Sequence, residues 1–539
     1  MPEPVKKSYG EILKSSALIG GSAAIVMGFG AVRNKAMAVL LGTTGYGFFG
    51  MYITIAELAR TFAGLGINSS GVRQIAEAVG SGDTQRIART VGTLRRVALY
   101  SGAVGALLLL VLCQPVSLLS FKDHNHAGAI ALLAFVAFCG DISAAQLALV
   151  QGMRRIADLA RMNVLGALYG TVFGILIVYY WKEKGLVPSL ICVAVMTVLT
   201  SWWYARKIKV EEIQTTMKDV VGEASGLVKL GLIFMASALA TQGSAFLVRL
   251  IIARQLNVSN VGLYHAAWTL GGMYIGFIIQ SMGTDFYPRL TAAASRPDEC
   301  NRLVNEQAEV GLLMAGPGIM GTMALAPIVI TFFNSHAFMP AAGVLRWICL
   351  GMLLRVIAWP MGFIILARGE RKIFFWSEVL SAAGYVALVW AGVKLFKLEG
   401  TGIAFFVLYA VYCFVNYFIV RRLTGFRWTS ANRKLWLIFG PLVAAVFASE
   451  WLLPEKPALI AGAVMTLAAG IYSLFALCHL ISSDRLPPPA RKILKLLKLI
   501  PSDTNGQNDE NRSDRTGLRG PAAVVSVRPE RGDGSGPGY

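Results

Sequence analysis

Residues 97–119, VALYSGAVGALLLLVLCQPVSLL, form an apolar run without a single Asp, Glu, Lys or Arg. A helix needs about 20 mostly apolar residues to cross the roughly 30 Å hydrocarbon core of a bilayer. Fourteen apolar stretches long enough for this lie between about residues 12 and 482, and 186–204, 310–334 and 400–420 also lack these charges. Apolar and polar residues do not alternate with period two, so the pattern predicts an all-α polytopic membrane protein.

The composition agrees with this class. Mean hydropathy is +0.59, and charged residues make up 15% of the 539 residues, against about 25% in soluble domains. The net charge of +20 would also suit a nucleic-acid-binding protein. However, the Lys and Arg residues are concentrated in short loops on one side of the predicted spans, which argues against nucleic acid as a partner.

The loop charges also predict the orientation, because short cytosolic loops carry the excess of Lys and Arg. With the N-terminus in the cytosol, the cytosolic loops hold 27 of these residues and the outer loops at most 10. We therefore expect both termini on the cytosolic side.

The spans fall into two sets of six and a final pair. When the sequence is shifted by 216 or 215 positions, identical residues recur at the same depth of equivalent spans. The pairs are Arg33 and Arg249, Arg73 and Arg289, Arg86 and Arg302, Gly102 and Gly318, Lys182 and Lys397, Gly185 and Gly400, and Arg206 and Arg421. An even number of spans per half makes the repeat parallel, and transporters use such repeats to place a substrate site between the halves.

This repeat predicts the domain boundaries. The two six-helix bundles occupy residues 1–225 and 226–425, and two additional spans occupy 426–484. Residues 485–501 are predicted to form a basic amphipathic segment, because in 490–500, ARKILKLLKLI, Lys and Arg alternate with Leu and Ile at helical spacing. This pattern is typical of a helix on an anionic leaflet or of a solvated helix end. Residues 502–539 have the composition of a disordered tail.

Ionisable residues inside the predicted spans are candidate functional residues, because burying a charge in the membrane is costly. The candidates are Arg33, Lys35, Glu57, Arg60, Asp141, Arg249, Arg254 and Arg355. Glu57 and Arg60 lie three residues apart on one helix face, so a structural ion pair is an alternative for them. Lys35 and Arg254 lie near the outer ends of their spans, so their side chains could instead extend to the lipid headgroups.

The sequence carries no signature of a hydrolase, kinase or transferase, and no Walker A motif. The seven Cys residues are scattered without a CxxC pair, so neither a disulfide framework nor a metal site is expected. We therefore expect no catalytic residue, no metal and no cofactor.

The N-terminal region resembles a known family. Residues 16–42, SALIGGSAAIVMGFGAVRNKAMAVLLG, then Gly45-Tyr46-Gly47, then residues 62–77, FAGLGINSSGVRQIAE, look like the opening of bacterial O-antigen and polysaccharide flippases. These proteins share a superfamily with the lipid II flippases and the multidrug and toxin extrusion pumps. The arrangement of spans extends the resemblance over about residues 10–480.

The resemblance implies two six-helix bundles around a central cationic cavity in the bacterial cytoplasmic membrane. It implies movement of an undecaprenyl-diphosphate-linked oligosaccharide between the leaflets, with a polysaccharide polymerase and a chain-length regulator as possible partners. Arg33 matches the family locally as a cavity residue and Arg60 matches more loosely. Arg249 and Arg355 are added as substrate-binding candidates on the repeat and on their depth in the membrane.

Two other functions stay open at this stage. A multidrug/cation antiporter of the same superfamily would need acidic residues for Na⁺ or H⁺, and Glu57 and Asp141 are the candidates for such ion coupling. A membrane-embedded polysaccharide polymerase or acyltransferase would need large outer loops, whereas the predicted outer loops contain about 4–12 residues.

Overall fold

A computed structural model describes residues 4–208 and 217–480, and these ranges are helical without a strand. The α-helices are α1 (Pro4–Ala63), α2 (Ile67–Ser81), α3 (Thr84–Val111), α4 (Cys113–Phe121), α5 (Ala127–Gly152), α6 (Ile156–Trp181), α7 (Leu186–Ala205), α8 (Met217–Gln255), α9 (Val258–Ala292), α10 (Pro297–Ala324), α11 (Ala326–Phe333), α12 (Ala341–Ala367), α13 (Arg371–Phe396), α14 (Glu399–Thr424), α15 (Ser430–Leu452) and α16 (Glu455–Leu480). Two short 3₁₀-helices, Lys182–Gly185 and His336–Phe338, complete the described secondary structure.

Ten helical segments in the described ranges are long and apolar enough to cross a membrane, or 11 when the bent pair α10 and α11 forms one span. Two of the ten, Gly20–Ala63 and Ile156–Ala205, contain 44 and 50 residues, which is enough to cross twice. The prediction of a polytopic all-α membrane protein is thus confirmed. The count of 14 spans stays a prediction.

Each of these two long segments has an internal break where the chain can reverse. In α1, Gly42 has φ 64° and ψ −169°, a conformation that residues with a Cβ rarely adopt. Between α6 and α7, the 3₁₀-helix Lys182–Gly185 separates the two halves of the second segment.

The backbone repeats between the halves, as the shifted sequence predicts. Lys182 after α6 has φ 51° and ψ −132°, and Lys397 after α13, 215 positions later, has φ 51° and ψ −133°. Arg154 and Gly369, also 215 positions apart, both have positive φ just before these helices. The broken helix pair α3 and α4 recurs as α10 and α11. Matching strained turns at matching positions identify two copies of one architecture.

Each half has its own buried cluster, which packs its helices together. In the first half Leu94 of α3 packs with Leu149 of α5. In the second half Leu303 of α10 packs with Ile364 of α12. The exact bundle boundaries at residues 225 and 425 stay predictions.

Helix α15 is joined to the second half by polar contacts. The Arg346 guanidinium on α12 forms an ion pair with the largely buried Glu450 carboxylate on α15. The Asn432 side chain donates to the carbonyl oxygen of Asn305 at 3.0 Å. The first of the two additional helices is therefore fixed to the repeat.

The chain divides into two compact units, Met1–Ser473 and Leu474–Tyr539, and the candidate site lies in the first. Of the second unit, the structure describes only the end of α16. The predicted basic helix at 485–501 and the predicted tail at 502–539 lie outside the described residues.

Candidate functional site

Arg33 lines a cavity of about 570 Å³ between the two halves of the repeat. Its walls come from α1 and α6 of the first half and from α9 of the second. Polar and apolar residues in these walls include Gly30, Asn163, Thr171, Met273 and Phe277. The cavity is large enough for part of a ligand, since ligand sites typically measure about 300–1,000 Å³.

The Arg33 guanidinium is held without an acidic partner. One terminal nitrogen lies close above Gly170, where a Cβ would be 3.0 Å away. The Nε atom is buried and has no hydrogen-bond partner, and the ion pairs among the described residues do not include Arg33. A cation in a membrane cavity without a carboxylate is costly by itself, so this site is suited to an anionic ligand.

Arg249, the repeat equivalent of Arg33, is deeply buried and is not among the described residues that line this cavity. Its guanidinium donates to the carbonyl oxygen of Ala245 at 3.0 Å and lies 3.4 Å from Nδ1 of His265. The ring of Tyr264 lies 5.7 Å from it. His265 interacts electrostatically with both Arg33 and Arg249, so the two arginines lie in the same region as this histidine.

Arg60 lines a second cavity, of about 210 Å³, together with Asp141, Ser101 and Met235. Its guanidinium is bonded to the Glu57 carboxylate at 2.5 Å, as the ion-pair alternative predicted. Asp141 is only 5% exposed, and its Oδ2 has no hydrogen-bond partner. Arg60 is therefore largely neutralised, whereas one oxygen of Asp141 is free to bind a proton or a cation.

Arg355 lines a third cavity, of about 290 Å³, formed by α12, α13 and α14. Its guanidinium lies 5.9 Å from the ring centroid of Tyr409. The structure thus brings Arg33 and Arg249 to one region, around His265, and places Arg60 and Arg355 in two other cavities. Substrate binding by the four arginines stays a prediction.

Sequence reasoning missed three polar residues near Arg33. Besides His265, Tyr46 interacts electrostatically with Arg33, and Asn334 lies beside Tyr46. Tyr46 is fully buried, and its ring lies 5.1 Å from that of His265. A histidine inside a predicted span was the available signal for this group.

On the predicted outer side, α1 and α9 meet along a close contact between the two halves. The hydroxyl of Ser259 donates to Oγ1 of Thr43 at 2.7 Å. These residues are 216 positions apart and are repeat equivalents, so the axis of the repeat passes near them. A Cβ on Gly47 would collide with the carbonyl oxygen of Val258, which explains the glycine in this contact.

Two basic residues join the halves on the same side. Lys35 of α1 donates to the carbonyl oxygen of Thr331 in α11 at 2.9 Å. Arg254 of α8 donates to the carbonyl oxygens of Leu119 and Leu118 in α4 at 2.7 and 2.8 Å. Each contact satisfies carbonyls at the C-terminal end of a short helix in the other half. The side chains of Lys35 and Arg254 therefore donate to protein carbonyls in this structure, and extension to the lipid headgroups stays an untested alternative. We call these two contacts the outer cross-caps.

On the opposite side, the chain after α1 approaches α8. A Cβ on Gly231 would collide with the carbonyl oxygen of Leu65. The two halves are thus in contact on both sides of the Arg33 cavity.

Comparison with known proteins agrees with this architecture. The family described as "Polysaccharide biosynthesis protein" matches residues 12–294, just over half of the chain. The lipid III flippase of Escherichia coli (strain K12) is 22% identical over 378 residues, which cover 68% of this chain and 88% of that protein.

Two solved structures share the fold. The lipid II flippase MurJ in an inward closed conformation aligns with a TM-score of 0.65 and 12% identity, over 87% of this chain and 99% of that one. An inward-facing multidrug resistance MATE family transporter aligns with a TM-score of 0.60 and 16% identity, over 75% and 95%. Because flippases and multidrug transporters both match, the fold alone does not distinguish these two functions.

Proposed function

The chain belongs to the polysaccharide biosynthesis protein family, and we propose that it is a flippase for an undecaprenyl-diphosphate-linked oligosaccharide. The substrate is an O-antigen or exopolysaccharide unit on its lipid carrier. The protein moves it between the leaflets of the bacterial cytoplasmic membrane by alternating access of the Arg33 cavity.

The observation that carries this proposal is the unpaired Arg33 in a cavity between the halves. A diphosphate carries at least two negative charges, and a guanidinium offers a planar fork of donors that matches phosphate oxygens. His265, held by Arg249, provides a second polar group beside the same region. The polyprenyl chain remains in lipid while the headgroup and sugars pass through the cavity.

The membrane potential supports outward movement of this substrate. A potential that is negative inside contributes roughly 2.3 kcal/mol per charge per 100 mV, so about 4–5 kcal/mol for two negative charges. The protein then needs only to lower the barrier for the charged headgroup, which an arginine-lined cavity does.

The antiporter alternative is not favoured. The relative that spans 68% of the chain is named a flippase, and the Glu57 carboxylate is already bonded to Arg60. Asp141 is the remaining candidate for ion coupling, because its buried Oδ2 has no partner. If a proton or Na⁺ gradient contributes to flipping, Asp141→Asn removes that dependence and leaves the dependence on membrane potential.

Orientation and partners are further parts of the proposal. Both termini lie in the cytosol, and a polysaccharide polymerase and a chain-length regulator act on the translocated product. Cysteines introduced at Asp123 and Glu455 should react with an impermeant thiol reagent from outside, and one at Asp83 should not. Protection of Asp123 from the outside reagent would reverse the orientation.

Complementation of a flippase-null strain tests the function. Arg33→Ala should abolish surface glycan at normal membrane levels of the protein. Arg33→Lys should retain part of it, because the charge remains but the fork does not. Lys182→Met is the matched control, since Lys182 lies in the 3₁₀-helix after α6, with its ammonium against the Tyr179 ring. Normal surface glycan with Arg33→Ala would contradict the proposal.

A further inference from the structure

The cavity that contains Arg355 has a composition unlike that of the Arg33 cavity. Its lining combines one basic and one acidic residue, Arg355 on α12 and Glu378 on α13, with several aromatic rings. The rings belong to Trp359, Phe363, Phe374, Tyr409 and Tyr412. We call this space the aromatic cavity.

The two charged groups of the aromatic cavity do not pair with each other. The ion pairs among the described residues include neither Arg355 nor Glu378. Arg355 lies over the Tyr409 ring, within the distance of a cation–π interaction. The Glu378 carboxylate accepts a bond of 3.3 Å from the Tyr412 hydroxyl. Opposite charges that line one membrane cavity without pairing are costly unless a polar group lies between them.

The chemistry of these walls restricts the ligand. Glu378 would repel a second anion, and Arg355 would repel a simple cation. A bare polyprenyl chain would offer a hydrogen bond to neither charge. A neutral ring with several hydroxyl groups can form hydrogen bonds with both Arg355 and Glu378, because hydroxyls accept from a guanidinium and donate to a carboxylate. Its apolar face packs on the aromatic rings.

The repeat shows how the two cavities differ. Glu378 and Asn163 are 215 positions apart and are repeat equivalents by the shift that pairs Lys182 with Lys397. Asn163 lines the Arg33 cavity, and Glu378 lines the aromatic cavity. An uncharged amide suits a cavity for an anion. A carboxylate at the same place suits a neutral, hydroxyl-rich ligand.

Aromatic side chains connect the surroundings of Arg249 with the aromatic cavity. The Tyr264 ring next to Arg249 has its hydroxyl 3.1 Å from that of Tyr385. Phe405 packs against both Tyr385 and Tyr409, with ring centroids 5.9 and 4.8 Å away. A continuous series of aromatic side chains therefore runs from Arg249, which contacts His265, to Tyr409, whose ring lies against Arg355.

From these observations we propose that the aromatic cavity binds one neutral sugar ring of the oligosaccharide. This inference rests on the proposed flippase function and adds a saccharide subsite to the diphosphate site at Arg33. Recognition of a sugar hydroxyl by the half-buried Arg355 and Glu378 also selects against analogues that lack it.

Binding of a lipid-free sugar tests the subsite separately from flipping. The probe is the oligosaccharide unit released by mild acid from the lipid-linked pool of the producing bacterium. Saturation-transfer NMR with the full-length protein in nanodiscs should show transfer to the sugar protons. Arg355→Gln and Glu378→Gln should each weaken binding at least tenfold, and Arg33→Ala should leave it unchanged. Tyr412→Phe, which removes only one hydroxyl, should weaken sugar binding several-fold. This variant keeps the test valid if Arg355→Gln or Glu378→Gln does not fold.

The outcomes separate the two proposals. Wild-type sugar binding in Glu378→Gln and Tyr412→Phe would overturn the saccharide subsite, as would loss of sugar binding in Arg33→Ala alone. Titration of the same samples with inorganic diphosphate reports on the Arg33 site. If diphosphate binds and flipping proceeds but no sugar contact depends on Glu378, the subsite fails while the flippase function stands.

Discussion

The outer cross-caps should control how often the cavity opens to the outside. Lys35 and Arg254 each join the first long helix of one half to a short helix of the other. Opening the predicted outer side must separate these partners, so the bonds stabilise only the closed arrangement. We predict that Lys35→Met with Arg254→Met shifts the protein towards outward-open states.

The size of this shift follows from the bonds that are lost. Lys35 makes one charge-assisted bond of 2.9 Å in a partly buried place, worth about 1.5–2 kcal/mol. Arg254 makes two hydrogen bonds. Because its side chain is exposed, the two together stabilise the closed arrangement by only about 0.5–1 kcal/mol. The sum of about 2–3 kcal/mol corresponds to a roughly 30- to 140-fold change in the population of the open state.

The measurement is the reaction rate of a single cysteine at Ser259 with an impermeant maleimide. The seven native cysteines are all free, so they can be replaced without removing a disulfide. The double variant should raise the labelling rate at least about tenfold. The increase cannot exceed the change in the population of the open state given above. Lys182→Met, which removes a positive charge on the same side without a contact between the halves, should not change it. Equal labelling of the double variant and the parent protein would refute a gating role for the cross-caps.

Two further predictions concern contacts between and within the halves. Cysteines at Thr43 and Ser259, whose hydroxyl oxygens are 2.7 Å apart, should form a disulfide under oxidation and stop export until it is reduced. Export unaffected by that crosslink would show that this contact does not have to separate. Glu450→Ala should lower the free energy of unfolding by about 3 kcal/mol, because it leaves Arg346, whose side chain is only 18% exposed, without its partner, whereas Arg346→Met with Glu450→Leu should recover most of the loss. An unchanged melting temperature for Glu450→Ala in detergent would contradict this.

The fold class and the repeat were predictable because both depend on patterns along the chain. The length of apolar runs predicts membrane helices, and the equivalence of Lys182 and Lys397 appears in the structure as nearly identical backbone angles. The number of spans was harder to predict from the sequence. Gly42 kinks a continuous helix, so the number of spans and the number of helices differ.

The site was only partly predictable, because contacts between helices depend on their rotation and depth. The sequence identified Arg33 as a cavity residue but could not indicate that Arg249 holds His265. It offered the pairing of Glu57 with Arg60 as one of two alternatives, since residues three apart share a helix face. It could not predict the partners of Lys35 and Arg254, because these carbonyls lie in the other half of the chain.

The most direct test of Arg33 as the diphosphate ligand is flipping by the purified protein in liposomes. The substrate is a fluorescent undecaprenyl-diphosphate sugar, and the signal is its exposure to a quencher outside the vesicle. Arg33→Ala loses a charge-assisted contact worth roughly 1.5–3 kcal/mol, so its initial rate should fall about ten- to a hundredfold. Arg33→Lys should fall between that variant and the wild type. A wild-type flipping rate in Arg33→Ala would contradict the assignment of this cavity to the diphosphate.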